Sequence, residues 1–367
     1  MDRVYNFSSG PAILPKEVIS RASAEFSNYR NTGISVAEIN RTSPEYAEIV
    51  STAESLLRKL LNVPQGYRVL FMGGSSELQY SAIPLNMLSD HKCADYVITG
   101  RLSKNASLEA KKYGDIAIAA SSAGATPAYS TIPDTERKHF RPDADYVHIT
   151  VNNSVCGTKF HYIPDTGNIP LVADMTSFLL SEPVDLSKFA LVYANAECGI
   201  GMSGLTVVIL RDDISASNKR EVPSHLNYKN ASNTAEHGLA PASAMSIFMF
   251  GLMLEWIESL GGLEEIKRRN ERKASLIYDY LDSQTYYTAP VDKKCRSMMN
   301  VVFVTGDAAL DKKFAEQATE IGLTNLAGDS SVGGMCASIY DGMPIEGVEL
   351  LVKFMKNFAQ TNIKLDT

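Results

Sequence analysis

The sequence predicts an α/β protein. Short β-branched or aromatic runs alternate with helical patterns through the first two thirds of the chain. Most of those runs are continuously apolar, as in strands buried on both faces. The 367 residues, 45% hydrophobic and 21% charged, are enough for one large domain and a smaller one.

In order, the expected strands of the large part are Tyr67 to Met72, Asp95 to Thr99, Asp115 to Ala119, Tyr146 to Val151, Ile169 to Ala173, Leu191 to Ala194 and Leu205 to Leu210. Between them, Pro44 to Leu61 repeats apolar residues at Tyr46, Ile49, Val50, Ala53, Leu56, Leu57, Leu60 and Leu61, with Ser43 as N-cap and Pro44 in the first turn, so it reads as an amphipathic helix. A long helix around Ser243 to Leu260 stops at Gly261-Gly262, read as a hinge, and a charged helix follows to about Leu281. The tail then reads strand (Met299 to Val304), helix (Ala308 to Ile321), strand (Met335 to Tyr340) and helix (Ile345 to Phe358). The expected organisation is an arm at 1–15, a large domain at 16–262 and a small C-terminal domain at 263–367.

Composition excludes some partners. Lys+Arg 35 against Asp+Glu 42 gives a net charge of −7, so there is no basic field to hold nucleic acid or anionic lipid. Five widely spaced cysteines without a CxxC or a Cys/His cluster read as reduced thiols, not as metal ligands. The N-terminus has neither a secretory nor a transit pattern, so a cytoplasmic location is expected. The uncharged stretch Gly238 to Leu254 is too short to span a bilayer, carries Pro241, and reads as a buried core helix.

The segments NFSSGPAILP (Asn6 to Pro15), VLFMGGSSELQ (Val69 to Gln79), IPLN (Ile83 to Asn86), ADYV (Ala94 to Val97), EAKKYG (Glu109 to Gly114), LEWIESLGG (Leu254 to Gly262), RSMMNVVF (Arg296 to Phe303) and SVGGMCASIYDGMP (Ser331 to Pro344) together resemble the phosphoserine aminotransferase family, along nearly the whole chain. The resemblance implies a type I pyridoxal-phosphate (PLP) fold: a seven-stranded, mostly parallel sheet, a small C-terminal domain and a homodimer with cofactor sites at its interface. The implied reaction converts 3-phosphohydroxypyruvate and glutamate to phosphoserine and 2-oxoglutarate, in serine biosynthesis.

Against that pattern, Cys198 occupies the position of the lysine that holds PLP, within Tyr193-Ala194-Asn195-Ala196-Glu197-Cys198-Gly199. A thiol adds reversibly to an aldehyde but makes no imine, so no internal aldimine and no covalently bound cofactor are expected. Glu197 replaces a glutamine that faces the cofactor phosphate, and Leu102 stands where a tryptophan stacks on the ring. The segment Leu239 to Ser243 lacks the Asn-Thr pair that one subunit lends the other. On the substrate side, Asn40-Arg41-Thr42 puts Thr42 at an arginine position, Asp329-Ser330 replaces His-Arg, and Cys336 replaces the carboxylate-binding arginine. Asp174, the partner of the ring nitrogen, remains; Ser154 substitutes for a threonine near the ring hydroxyl; and the Gly73-Gly74-Ser75-Ser76 turn can still offer amides to an anion, with Glu77 opening the next helix.

Plainer roles are open to several of these residues. Asp174 could serve only as a strand-end scaffold, the Gly73 to Ser76 turn as a mere connection, and Cys198, Cys156 and Cys336 as small packing residues. His148 reads as a satisfied core histidine, and Glu264 to Lys273 as a solvated face. The expectation drawn from the site positions is a catalytically inactive, dimeric pseudoenzyme with a binding or regulatory role. The alternatives are an active phosphoserine aminotransferase, an enzyme using another lysine, for which Lys104 and Lys159 are the candidates, or a heterodimer with an active paralogue. PLP is the family cofactor, and the acidic pair Glu197 and Glu77 is expected to work against its phosphate.

Overall fold

The structure is a computed structural model that describes residues 3–89, 92–216, 221–230 and 242–362. Seven strands form the central sheet: β1 (Tyr67–Gly73), β2 (Cys93–Ile98), β3 (Asp115–Ser121), β4 (Val147–Thr150), β5 (Leu171–Asp174), β6 (Leu191–Asn195) and β7 (Leu205–Arg211), in the order β1-β7-β6-β5-β4-β2-β3. Only β7 runs against its neighbours; the other pairings are parallel, so the expected mostly parallel sheet is present. Strands β1, β2, β4, β5 and β6 therefore end at one common edge, where open α/β sheets place their ligands.

Strands β2, β4, β5 and β6 are buried along their full length, which explains their unbroken apolar sequences. Alternate side chains enter separate cores. Val97, Ile149, Ala173 and Val192 pack on one face, and Tyr96, Tyr146, Val172 and Tyr193 on the other. A third core gathers Phe7 and Ile13 of the arm with Val301, Phe303, Met335 and Ala337.

Helix α1 (Pro44–Leu60) starts as its sequence predicts, with Ser43 accepting from the Tyr46 N–H and Pro44 in the first turn. Helices α2 (Glu77–Met87) and α3 (Arg101–Ala110) follow β1 and β2. Helix α4 (Ala244–Ser259) is capped by Ser243 and almost wholly buried, the core helix its composition implied; residues 238–241 of that stretch lie outside the described residues. It meets α5 (Leu263–Asp282) at a bend of 87° across Gly261 and Gly262, whose φ angles of 110° and 80° favour glycine. Among the described residues no single helix is long and apolar enough to cross a membrane. Strands β8 (Asn300–Phe303) and β9 (Met335–Ser338) pair antiparallel, accompanied by α6 (Ala308–Glu320) and α7 (Ile345–Thr361).

Two expectations need correction. The charged run of α5 is not wholly solvated: Asn270 and Lys273 are buried, and Lys273 Nζ donates to the carbonyls of Ile339 (2.9 Å) and Tyr340 (2.6 Å). The reason is that α5 lies between two cores, giving Leu263 and Ile266 to one and Ala274, Ile277 and Leu281 to another, so its polar stripe is partly covered. His148 is only half satisfied. Its Nε2 lies 3.0 Å from the Tyr193 hydroxyl and its ring stacks on Tyr96, but Nδ1 has no partner among the described residues.

Burial pulls the His148 pKa from 6.5 down to about 3. As pH falls below 6.5, the unfolded chain takes up a proton that the native imidazole refuses, so stability declines with acidification. The expected loss is about 1.4 kcal/mol per pH unit between roughly pH 6 and pH 4. Urea unfolding of wild type and His148→Gln over that range checks it; the variant's acid slope should be shallower by about one proton.

Candidate active site

Asp174 and Cys198, two of the residues expected to face a cofactor, lie at the common strand edge. Asp174 ends β5 with 2% of its surface exposed, and its Oδ1 accepts the Thr176 N–H at 2.9 Å. Burial pushes its carboxyl pKa up, while hydrogen bonds from Thr176 and Tyr193 pull it back. Thr150, Asp174 and Tyr193 are in register across β4, β5 and β6, so their side chains share a face. The Tyr80 hydroxyl, Thr150 Oγ1 and Asn195 Oδ1 are buried around this strand edge without hydrogen-bond partners among the described residues. Burial and the charge of Asp174 both push the Tyr80 phenol up.

Cys198 lies in the turn that follows β6. Burial first, then the charges of Glu197 and Asp174, push its thiol up to about 12, so it is a neutral thiol at physiological pH. The N-terminal arm crosses directly above: a Cβ on Gly10 would stand 3.2 Å from Cys198 Sγ, and the Ala12 N–H donates to the Glu197 carbonyl at 2.9 Å. Gly199, at φ +105°, leaves room for Tyr340, whose Cβ would be only 2.9 Å from an added Cβ. The Tyr340 hydroxyl donates to the Ser9 carbonyl (3.0 Å) and accepts from Asn300 Nδ2 (3.1 Å), tying the arm and β8 to the Cys198 turn. The Glu197 carboxylate accepts from Asn195 Nδ2 at 3.2 Å and from Ser203 Oγ at 2.5 Å.

The remaining positions are distributed unevenly. Ser76 is buried, and Ser75 and Glu77 are exposed, where β1 passes into α2. Leu102 is half-buried in the first turn of α3. Ser154 is buried and its carbonyl accepts from Cys336 Sγ at 3.6 Å. Thr42 is not brought to this edge by any of its hydrogen bonds: its N–H and Oγ1 both bond Asn40 Oδ1, in an exposed turn before α1. Ser330 is exposed. Lys104 points outward from α3, and Lys159 is bound to Glu182 at 2.6 Å, so neither is joined to Asp174.

Two features escaped the sequence. Arg101 Nη1 pairs with Asp329 at 2.8 Å, joining the start of α3 to the loop before β9; Asp329 is thus a partner for a cation and not merely a lost one. Tyr340 is the other. In the sequence it is one aromatic residue of the segment Ser331 to Pro344, just after the apolar run of β9.

Chemically, a buried carboxylate surrounded by unpartnered hydroxyl and amide oxygens suits a protonated aromatic nitrogen. These residues fit the ring of PLP. At the aldehyde end they offer a thiol instead of an amine.

The aminotransferase class-V family model matches residues 4–351. The chain is 44% identical over 362 residues to phosphoserine aminotransferase of Bacillus cereus, covering 99% of this chain and 100% of that one. It is 42% identical over 371 residues to phosphoserine aminotransferase of Nitrosomonas europaea, covering 99% and 100%. The solved phosphoserine aminotransferase from Bacillus circulans subsp. alkalophilus superposes with a TM-score of 0.93 at 40% identity, over 98% of this chain and 99% of that one. The type I PLP-transferase fold is thereby established. The same likeness corrects the expectation of a catalytically inactive pseudoenzyme with a binding or regulatory role: end-to-end identity at this level to curated enzymes favours the active alternative.

Proposed function

Since the chain belongs to the phosphoserine aminotransferase family of the class-V aminotransferases, we propose that it transfers the amino group of glutamate to 3-phosphohydroxypyruvate, yielding phosphoserine and 2-oxoglutarate, with PLP as cofactor and as a homodimer. The observation that carries this reading is the 42 to 44% identity spread over the entire length. The buried Asp174 among unpartnered polar atoms supports it.

In this reading Asp174 holds the ring nitrogen, Ser75 and Ser76 the phosphate, Leu102 packs against the ring and Ser154 lies by its hydroxyl. Bound PLP supplies an electron sink for charge developing at the substrate α-carbon. The finer part of the proposal is that this chain works without a lysine at position 198, retaining its cofactor by non-covalent contacts. A neutral thiol with a pKa of about 12 is a poor proton acceptor at neutral pH, so proton movement at the α-carbon falls to solvent and limits turnover.

Purified protein with PLP, glutamate and 3-phosphohydroxypyruvate is expected to form phosphoserine faster than the same mixture without protein, followed by chromatography of the amino acids. Formation no faster than with PLP in buffer overturns the proposal.

A further inference from the structure

On the face of the sheet opposite Asp174, a cavity of about 480 Å³ opens among the ends of β4 and β5, residues 159–163 and α5. Side chains alternate along a strand, so Ile149, Val151 and Met175, sequence neighbours of Thr150 and Asp174, line this cavity. Phe160, Phe178 and Phe189 complete its apolar side, and charged residues line the rest. Two ion pairs line it, an exposed one between Lys267 and Glu271 at 4.0 Å and a buried one between Lys159 and Glu182. Lys159 Nζ lies 2.6 Å from Glu182 Oε2, with side chains 5% and 18% exposed, and the ammonium sits 4.9 Å from the Phe178 ring centre.

Withdrawing two charges from water costs about as much as their attraction returns, so a buried pair is a poor device for stability. What this pair does offer is a cation and an anion side by side against the cavity's apolar side. That is the complement of a molecule carrying an ammonium and a carboxylate on one carbon, with an apolar chain attached. We propose that the cavity binds a free α-amino acid with an apolar side chain of the size of leucine, methionine or phenylalanine. Its carboxylate meets Lys159, its ammonium meets Glu182, and its side chain packs on Phe160 and Phe178. In the unliganded protein the two residues satisfy one another.

The chemistry sets the selectivity. A fatty acid leaves Glu182 unanswered and an alkylamine leaves Lys159 unanswered, each an unpaired charge in a poorly solvated place. Lys267 and Glu271 of α5 line the same cavity, placing the ligand between the sheet and the helix that also enters the third core. The inference stands on this cavity and does not depend on the transamination reading.

Calorimetric titration of the full-length protein with leucine, methionine and phenylalanine is the test, beside 4-methylpentanoate and 3-methylbutylamine as the one-charge analogues. At least one of the three amino acids is expected to bind saturably, with both analogues weaker by tenfold or more. Lys159→Met and Glu182→Gln should each weaken binding by about tenfold or more. Circular dichroism verifies that each variant is folded. Independently of the variants, hydrogen exchange on wild type should slow in 159–163 and 175–185 when the amino acid is added. Failure of all three to bind at millimolar concentration, binding unchanged in both folded variants, or protection confined to other segments overturns the proposal.

Discussion

Replacing Cys198 by lysine is expected to raise transaminase turnover by about 10²- to 10⁴-fold, the usual contribution of a positioned general acid–base group. The same variant should retain PLP through gel filtration and, after borohydride reduction, carry the cofactor as a stable mass increase that wild type lacks. Cys198 lies beside Tyr340 and Glu197, under Gly10, and within the field of Asp174, so an amine there faces the same enclosed edge. Electrostatics then limits the gain. Two unit charges about 4 Å apart at an effective dielectric of 20 interact by roughly 4 kcal/mol, less where solvent enters. The Glu197 and Asp174 carboxylates therefore favour the ammonium form of the new amine and leave a smaller share as the free amine that attacks a carbonyl. Adding Glu197→Gln should release it, and the double variant should exceed Cys198→Lys both in retained cofactor and in rate. Equal rates for wild type and both variants would show that position 198 does not face the reacting atoms.

The sheet was readable in the sequence because its inner strands are buried on both faces and so are written as unbroken apolar runs; β4 was expected at Tyr146 to Val151 and spans Val147 to Thr150. The ends are harder to place, since a strand stops where its hydrogen-bonding neighbour stops, and the neighbour is distant in sequence. The same distance hid Arg101 with Asp329, Lys273 with the Ile339 and Tyr340 carbonyls, and Lys159 with Glu182. Each is a charge whose burial is decided by another element, so helical spacing alone assigned Lys273 to solvent. Asp174 and Cys198 were found from the resemblance, and the structure does place them at one edge. Thr42 was assigned to an arginine position by the resemblance; its hydrogen bonds close a local Asn40 turn, which spacing does not disclose. The expectation of inactivity failed for a different reason. It weighed each altered position by the chemistry lost there, whereas likeness along the whole chain reports on everything the positions have in common with the enzymes.

Asp174→Asn is expected to weaken PLP retention by about 10²- to 10⁴-fold, read as the concentration of added cofactor that half-saturates the cofactor-dependent absorbance. The carboxylate is 2% exposed, and its hydrogen bond from the Thr176 N–H does not neutralise it. Burial alone pushes its pKa up, so the free protein holds this charge at a cost, and a cationic ring nitrogen relieves that cost. Breaking such a buried pair by removing one member costs about 3 to 5 kcal/mol, which sets the size of the effect. Asparagine keeps the shape, and its Oδ1 can still accept from Thr176, so folding should be nearly unchanged and the loss specific to the cofactor. If the carboxylate were only a strand-end scaffold, Asp174→Asn would leave both the unfolding midpoint and the cofactor titration where they were.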